Sequence, residues 1–328
     1  MKICFVQQKM ISFVKKDLDI LADTHQVKNV EINSFLPTVN LFKAVLRCDL
    51  VFCWFGKMPA FWAILFGKIL NKKTIVVAGG DDVINMPEIN YGIYSFWWKK
   101  WCPAFVFKYC DLIISVSEFN KKETLVNTNI KSGKVEMVYH GFENNTYKSK
   151  TKLPQIITIG QITYETIKRK GLLLFVEASR ILPEYKFILI GKCDDGSINK
   201  LKERAGDNII FSGWVDAELL AKNIAESKIY VQASYHEAFG CSVAEAMLGG
   251  CIPVVARRAA LPEVVGDTGF YIEGQTPEAV AEAIKKALAM PDDYGLKARQ
   301  RIIENFPLKK RKEALLKAVD DVKNDVYG

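Results

Sequence analysis

The stretch Ser234–Val255, SYHEAFGCSVAEAMLGGCIPVV, decides the fold. An apolar strand at Ile229–Val231 precedes it, and a short helix opens near Gly240. Gly249-Gly250 ends that helix, because glycine tolerates the left-handed exit. A second apolar strand follows at Ile252–Val255. The order strand, glycine-bearing loop, helix, strand predicts a parallel α/β unit.

The start of this helix is suited to an anion. Backbone N–H groups of a first helical turn lack intrahelical acceptors, and a phosphate satisfies them. Two glutamates flank the turn, with Glu237 in the loop and Glu245 inside the helix. Taken alone, such a pair would be ordinary solvated carboxylates.

In its full context the stretch resembles the signature of retaining glycosyltransferases of family four, which have the GT-B fold. The family pattern has Glu, a small residue, Phe-Gly, a second Glu eight positions after the first, Ala-Met and later Pro-Val-Val. The resemblance implies that Glu237 contacts the donor sugar and that Glu245 holds the ribose hydroxyls. It also implies donor contacts from Phe239, Gly240 and Cys241 at the helix start.

The rest of the chain repeats the same alternation of short apolar strands and helical stretches, which predicts parallel sheets with crossover helices. We therefore expect an α/β protein with two Rossmann-like domains facing a cleft, at 1–148 and 149–306. A charged amphipathic helix at 307–328 is expected to cross back onto the first domain. The twelve predicted strands are 2–6, 26–32, 50–54, 74–78, 112–116, 135–139, 155–159, 187–190, 209–212, 229–232, 252–255 and 269–272.

The composition is that of a soluble globular protein, with 49% hydrophobic and 25% charged residues. Met1-Lys2 leads directly into a strand, so we expect no signal peptide, and the apolar runs are too short to cross a bilayer. Eight scattered cysteines show no metal-binding spacing and favour a reducing, cytoplasmic environment. We expect no metal, no cofactor and no nucleic-acid partner.

A diphosphate leaving group needs fixed cations. The family places an Arg and a Lys after the first strand of the second domain, where Gly160-Gln161 and then Arg169 and Lys170 stand. The family's Arg often follows the glycine directly, so Arg169 is assigned as its substitute for Gln161. A plain surface cluster is the alternative, although cations are unfavourable at a helix start unless an anion joins them.

Three further residues resemble the family's nucleotide contacts. Gly191 ends a strand and resembles the turn near the nucleotide. Trp214 and Val215 resemble the segment whose backbone meets the base. A packing role for the Trp214 ring is the alternative to base stacking.

In the first domain, Asp82 follows a parallel strand and matches the Asp of a family motif that reaches the sugar and acceptor, with Asp81 as second choice. Capping of the next helix is the alternative role. Asp17-Leu18-Asp19 spells a metal-binding Asp-x-Asp but lies in a predicted helix, where such residues do not share a face. We interpret it as solvated surface.

Charge is uneven along the chain. Residues 1–150 hold 20 Lys and Arg against 13 Asp and Glu, a net of +7, whereas the remainder holds 25 against 24, a net of +1. This excess indicates an anionic partner or a merely solubilising surface. Aromatic residues and lysines alternate from Tyr94 to Phe105, which is typical of a membrane-interface helix or of a core helix kinked at Pro103.

The resemblance implies a retaining, metal-independent glycosyltransferase that uses a UDP- or GDP-linked sugar. The acceptor is expected to be a glycan, with a lipid-linked or membrane-associated glycan and an anionic membrane surface as partners of the first domain. Two alternatives remain open from the sequence: a sugar-nucleotide epimerase of related fold, and a non-catalytic nucleotide-sugar-binding protein.

Overall fold

Buried parallel strands account for the apolar runs in the sequence. The structure is a computed structural model that describes residues 1–145, 147 and 151–326. All twelve predicted strands form within these residues, in two six-stranded sheets whose paired strands run parallel. The predicted α/β fold class is confirmed. The predicted boundary between residues 148 and 149 lies outside the described residues, as do the last two positions of the predicted C-terminal segment.

The chain divides into two units, of which the first comprises Met1–Gly141 and Leu308–Gly328. Its sheet has the order β2-β1-β3-β4-β5-β6. The strands are β1 Lys2–Gln7, β2 Gln26–Glu31, β3 Leu50–Trp54, β4 Lys73–Ala78, β5 Leu112–Ser115 and β6 Val135–Met137. The helices are α1 Ser12–Ala22, α2 Val39–Arg47, α3 Met58–Ile69, α4 Trp101–Tyr109, α5 Glu118–Thr128 and, from the C-terminal end of the chain, α14 Leu308–Lys323.

The second unit comprises Phe142–Pro307, and its sheet has the order β12-β11-β10-β7-β8-β9. The strands are β7 Leu153–Ile159, β8 Lys186–Ile190, β9 Ile209–Gly213, β10 Ser227–Gln232, β11 Ile252–Ala256 and β12 Phe270–Ile272. The helices are α6 Tyr164–Arg169, α7 Leu172–Ile181, α8 Ile198–Lys202, α9 Ala217–Glu226, α10 Cys241–Leu248, α11 Leu261–Val265, α12 Pro277–Leu288 and α13 Tyr294–Asn305.

Helix α14 packs within the first unit, as the predicted crossing-back helix requires. Arg311 on α14 is buried and donates two hydrogen bonds of 2.6 Å to the Asp17 carboxylate on α1. Its remaining nitrogen donates to the backbone carbonyls of Val138 and Tyr139. The interpretation of Asp17 as solvated surface is therefore wrong. Sequence proximity could not reveal a partner that lies 294 positions away.

The aromatic stretch from Tyr94 to Phe105 is not one kinked core helix. A short 3-10 turn covers Ile93–Ser95, and α4 begins only at Trp101. Pro103 lies in the first turn of α4, where it interrupts no helical hydrogen bond. Trp97, Trp98 and Trp101 are 77%, 54% and 50% exposed, so the core-helix interpretation is wrong for these three side chains.

Candidate functional site

The second sheet has the strand order of a doubly wound Rossmann fold. Strands β7, β8 and β9 form one half of the sheet, and β10, β11 and β12 form the other. Strands β7 and β10 are neighbours, and the chain runs from β7 to β8 in one direction and from β10 to β11 in the other. Ligands of such sheets bind beyond the carboxyl ends of the strands at this reversal. The loops after β7 and β10 carry Gly160 and Glu237, respectively, so two of the predicted site residues lie at this point.

A single glycine brings the predicted cations to that place. Gly171 has a φ of +63°, and a Cβ there would lie 2.2 Å from the carbonyl oxygen of Ala233. The turn between α6 and α7 therefore lies directly against the end of β10. The backbone N–H of Tyr235 donates to the carbonyl of Arg169 over 2.8 Å, which joins the two loops. Arg169 and Lys170 are thereby held beside the glutamate loop.

Glu237 lies among these cations. Its Oε1 lies 3.5 Å from Lys170 Nζ and 3.9 Å from Arg169 Nη1, and its side chain is 14% exposed. Burial by itself raises the pKa of Glu237, but the charges of Lys170 and Arg169 outweigh it and leave the pKa below its usual value. The group is therefore a fixed carboxylate with two cations beside it.

Sequence reasoning missed the residue that orients Glu237. Gln232, at the buried end of β10, donates from Nε2 to Glu237 Oε1 over 2.9 Å and to Ser234 Oγ over 2.6 Å. Its Oε1 accepts from the Tyr230 hydroxyl and from Ser242 Oγ in the first turn of α10. A glutamine directly after the buried run Ile229–Val231 is the signal that could have found this network, because buried amides must be hydrogen-bonded.

Helix α10 begins beside this network. Gly240 precedes it with a φ of +103° and supplies no side-chain cap, so the positive end of the helix dipole is left to the backbone at Cys241. The Phe239 ring instead packs between Phe142, at a centroid distance of 5.9 Å, and Phe306, at 5.3 Å. Of the three predicted donor contacts, Phe239 can contribute only its backbone.

Glu245 lies on α10 one turn beyond the helix start. Burial, followed by the charge of the Glu245 carboxylate and a side-chain hydrogen bond to it, raises the pKa of Tyr147. Burial and the charges of both Glu237 and Glu245 also raise the pKa of Tyr230 on β10. Both predicted glutamates thus lie close enough to one buried tyrosine to act on its pKa.

The remaining predicted donor residues follow the neighbouring strands. A Cβ on Gly191 would lie 1.8 Å from the carbonyl oxygen of Gly160, and a Cβ on Gly160 would lie 2.8 Å from Lys170 Cδ. These two glycines therefore let the ends of β7 and β8 approach each other closely and leave space for the lysine. Trp214, directly after β9, is 73% exposed, which excludes the packing role, and Val215 beside it is half-buried.

Asp82 lies in the first unit and belongs to a different local structure. It is fully buried and accepts from the backbone N–H of Gly56 at 2.7 Å and of Gly80 at 2.9 Å, which ties together the loops after β3 and β4. Burial and the nearby Asp81 carboxylate raise the pKa of Asp82 to about 6. Within the described residues, no group of three or more His, Cys, Asp and Glu side chains is arranged to hold a metal ion.

Comparison with known proteins agrees with this geometry. Residues 153–290 match the family model described as Glycosyl transferases group 1. An uncharacterized 41.2 kDa protein in the cps region of Klebsiella pneumoniae is 27% identical over 67% of this chain and 63% of its own length. A subunit of the phosphatidylinositol N-acetylglucosaminyltransferase of Arabidopsis thaliana is 27% identical over 55% of this chain and 42% of its own length. The matches thus span about two fifths to three fifths of these relatives.

Among solved structures, Anabaena Alr3699/HepE in complex with UDP and glucose aligns with a TM-score of 0.79 and 16% identity. The alignment covers 98% of this chain and 100% of that one. At this identity the likeness concerns the fold alone. Residues 153–290 therefore match the group 1 glycosyltransferases, and the chain has the two-sheet GT-B fold of the structures that it resembles.

Proposed function

We propose that this protein transfers a sugar from a nucleoside-diphosphate donor to an acceptor hydroxyl with retention of configuration. The observation that carries the proposal is the placement of the Glu237 carboxylate 3.5 Å from Lys170 and 3.9 Å from Arg169, at the reversal point of a Rossmann-like sheet. Such a site combines a hydrogen-bond acceptor for sugar hydroxyls with fixed cations for a departing diphosphate.

Each group has a distinct task in this reaction. Arg169, Lys170 and the start of α10 at Gly240 stabilise the departing diphosphate, and no metal ion is required. Glu237 accepts hydrogen bonds from the sugar, and Glu245 accepts them from the ribose. Gly160, Gly191, Trp214 and Val215 lie beside the rest of the nucleotide.

The step balances without an oxidant or a further reactant. The bond between the anomeric carbon and the diphosphate oxygen breaks, and its electron pair stays on that oxygen. The acceptor oxygen forms the new bond on the same face of the sugar. Its proton passes to the departing diphosphate, whose charge Lys170 and Arg169 oppose.

The acceptor is a lipid-linked or membrane-associated glycan in this proposal. The net charge of +7 in residues 1–150 favours an anionic acceptor on the first unit. The name of the Arabidopsis relative specifies a phosphatidylinositol acceptor for that protein. The donor is UDP- or GDP-linked, and UDP is the nucleotide present in the Anabaena structure.

A panel of nucleotides and nucleotide sugars tests the donor half directly. The midpoint of thermal unfolding should rise with one nucleoside diphosphate and its sugar, since a ligand of the folded state stabilises it by mass action. Donor consumption is then followed by NMR with and without a membrane extract. Transfer that depends on the extract supports the proposal. Conversion of the donor sugar without any acceptor would indicate an epimerase, and binding without turnover in either case would indicate a non-catalytic protein.

A further inference from the structure

Helices α2, α3 and α4 of the first unit, with the segment just before α4, carry a band of half-buried and exposed aromatic rings. Helix α3 is apolar on nearly every side, including the side that is not buried. We call this band the aromatic face. Its rings are those of Phe42, Phe61, Trp62, Phe66, Trp97, Trp98 and Trp101.

Ring-to-ring contacts connect the helices of this face. Phe42 on α2 meets Phe66 at a centroid distance of 5.3 Å, and Trp62 lies 6.1 Å from Phe66. Phe61 lies 5.4 Å from Trp101 on α4. Such rings offer large contact area at fixed positions, and the indole N–H groups suit a boundary between water and an apolar phase.

The charged residues on the helices of the aromatic face have one sign. Helices α2, α3 and α4 contain no Asp or Glu, and they carry four basic residues, Lys43, Arg47, Lys68 and Lys108. Lys99 and Lys100 stand between the exposed tryptophans and form no ion pair with any residue that the structure describes. Lys68 is partly neutralised by Asp111 at 2.6 Å. The face is therefore both apolar and cationic.

A pocket of about 400 Å³ opens at the edge of this face. It is lined by residues that follow the first three strands, including Gln8 after β1, Phe35 after β2 and Lys57 after β3, and by Trp98 and Trp101. Strand order reverses between β1 and β3, which is where ligands of such sheets bind. A molecule held at the aromatic face thus has access to a binding position at the carboxyl edge of the sheet.

We infer that the aromatic face docks on an anionic lipid bilayer. This rests on the proposed function, because a lipid-linked acceptor has to be reached at a membrane surface. Tryptophans beside lysines match the two layers of a bilayer boundary, where rings enter the acyl region and ammonium groups meet lipid phosphates. No helix among the described residues is long and apolar enough to cross a membrane. A protein partner with acidic groups is the alternative occupant, and the test below distinguishes it from a bilayer.

Sedimentation with vesicles tests the docking surface. The full chain is mixed with vesicles of phosphatidylcholine alone or with added phosphatidylglycerol. We expect binding to the anionic vesicles that weakens as salt is raised. The double variants Trp97→Ser/Trp98→Ser and Lys99→Glu/Lys100→Glu should each lower the apparent affinity for anionic vesicles by about tenfold or more. The first loses the two most exposed rings of the aromatic face, and each lysine near an anionic surface contributes about a fivefold change in affinity.

Two matched controls test whether the loss of any exposed tryptophan or lysine would lower vesicle binding. Trp214→Ser removes an equally exposed tryptophan of the second unit, and Lys309→Glu reverses an exposed charge on α14. Both should bind vesicles as the parent does. Wild-type protein that stays in the supernatant with anionic vesicles at low salt overturns the inference and makes a protein partner the better occupant. Face variants that bind normally overturn it as well.

The outcome is independent of the donor site. Nucleotide affinity, measured by calorimetry on the variants of the aromatic face, should be unchanged. Vesicle binding without nucleotide binding would leave the docking surface standing while the proposed function fails. Nucleotide binding without vesicle binding would overturn the docking surface and leave the donor half of the proposed function standing.

Discussion

At the residue scale, the chemistry depends on which part of the donor each glutamate meets. Glu237 is paired with Lys170 and Arg169 and oriented by Gln232, whereas Glu245 lies further along α10 beside Tyr147. The charges of Lys170 and Arg169 hold the pKa of Glu237 below its usual value, so near neutral pH it is a hydrogen-bond acceptor rather than a proton donor. The two carboxylates should therefore fail in different ways when they are removed.

Glu237→Ala should abolish sugar transfer and leave the affinity for the free nucleoside diphosphate nearly intact. The reason is that Glu237 is assigned to the sugar, and its loss leaves both cations for the diphosphate. Turnover assays and calorimetry measure the two effects separately. Glu184→Ala, in an exposed loop before β8, is the control. An equal loss of transfer and nucleotide binding would show that the glutamates are misassigned.

Glu245→Ala should weaken nucleotide binding by about tenfold or more, since a charge-assisted hydrogen bond contributes about 1.5–3 kcal/mol. Isothermal titration with the nucleoside diphosphate measures this loss. Glu218→Ala on α9 removes an exposed helical glutamate and should change nothing. Unaltered affinity in Glu245→Ala, with an intact thermal transition, would show that Glu245 does not bind the ribose.

Asp82 predicts a pH dependence of stability. Its pKa of about 6 lies above the usual 3.8, so the folded protein holds a proton in this window that the unfolded chain has lost. The free energy of unfolding therefore falls as pH rises through the window. Relative to Asp82→Asn, the wild-type Tm should fall as pH rises from 3.8 to about 6 and level off above that. Parallel Tm curves would contradict this, and Asp207→Asn, at an exposed site, is the control.

At the element scale, the last long helix is fixed by one buried ion pair. Arg311 fills its donors with the Asp17 carboxylate and two backbone carbonyls, and both charged side chains are buried. A buried pair adds little compared with apolar side chains of the same size, yet removing one partner strands the other charge. The pair therefore specifies how α14 packs on α1 more than it adds to stability.

Arg311→Met should lower the free energy of unfolding by about 3–5 kcal/mol, because Asp17 is left buried and unpaired. Adding Asp17→Leu should recover part of that loss. Urea denaturation of the full chain measures both variants. Lys312→Met removes the exposed pair with Asp23 and should cost less than about 1 kcal/mol. If Arg311→Met cost no more than this control, the ion pair would not fix the helix.

The same helix shows what a sequence can and cannot predict. The central strands were readily predictable, because strands buried on both faces leave apolar runs that a short window detects, whereas the edge strand β2 is mostly exposed. The partner of Asp17, the exposure of Trp97 and the inward turn of Phe239 depend on contacts distant in the chain. Residue pattern alone does not encode them. Glu237, Arg169 and Lys170 were found through a motif, whereas Gln232 required the hydrogen-bond network.

At the scale of the whole molecule, charge is divided between two tasks. Residues 1–150 carry a net charge of +7, and the second half is nearly neutral at +1. In the second half, the two cations Arg169 and Lys170 lie near the ends of β7 and β10, beside the Glu237 carboxylate. The broad excess suits a surface, and the local cluster suits a diphosphate.

This division predicts that the reaction proceeds without a divalent metal. In the proposed mechanism, Arg169, Lys170 and the start of α10 oppose the charge that develops on the departing diphosphate, which is the task of Mg²⁺ or Mn²⁺ in metal-dependent transferases. Sugar transfer by the full chain should therefore persist in excess EDTA, measured as donor consumption with the acceptor present. Lys170→Met should lose most of its turnover both in EDTA and in Mg²⁺, because an added metal ion does not replace the missing ammonium group of the side chain. Loss of wild-type activity in EDTA that Mg²⁺ or Mn²⁺ restores would contradict this mechanism and assign the diphosphate to a bound metal.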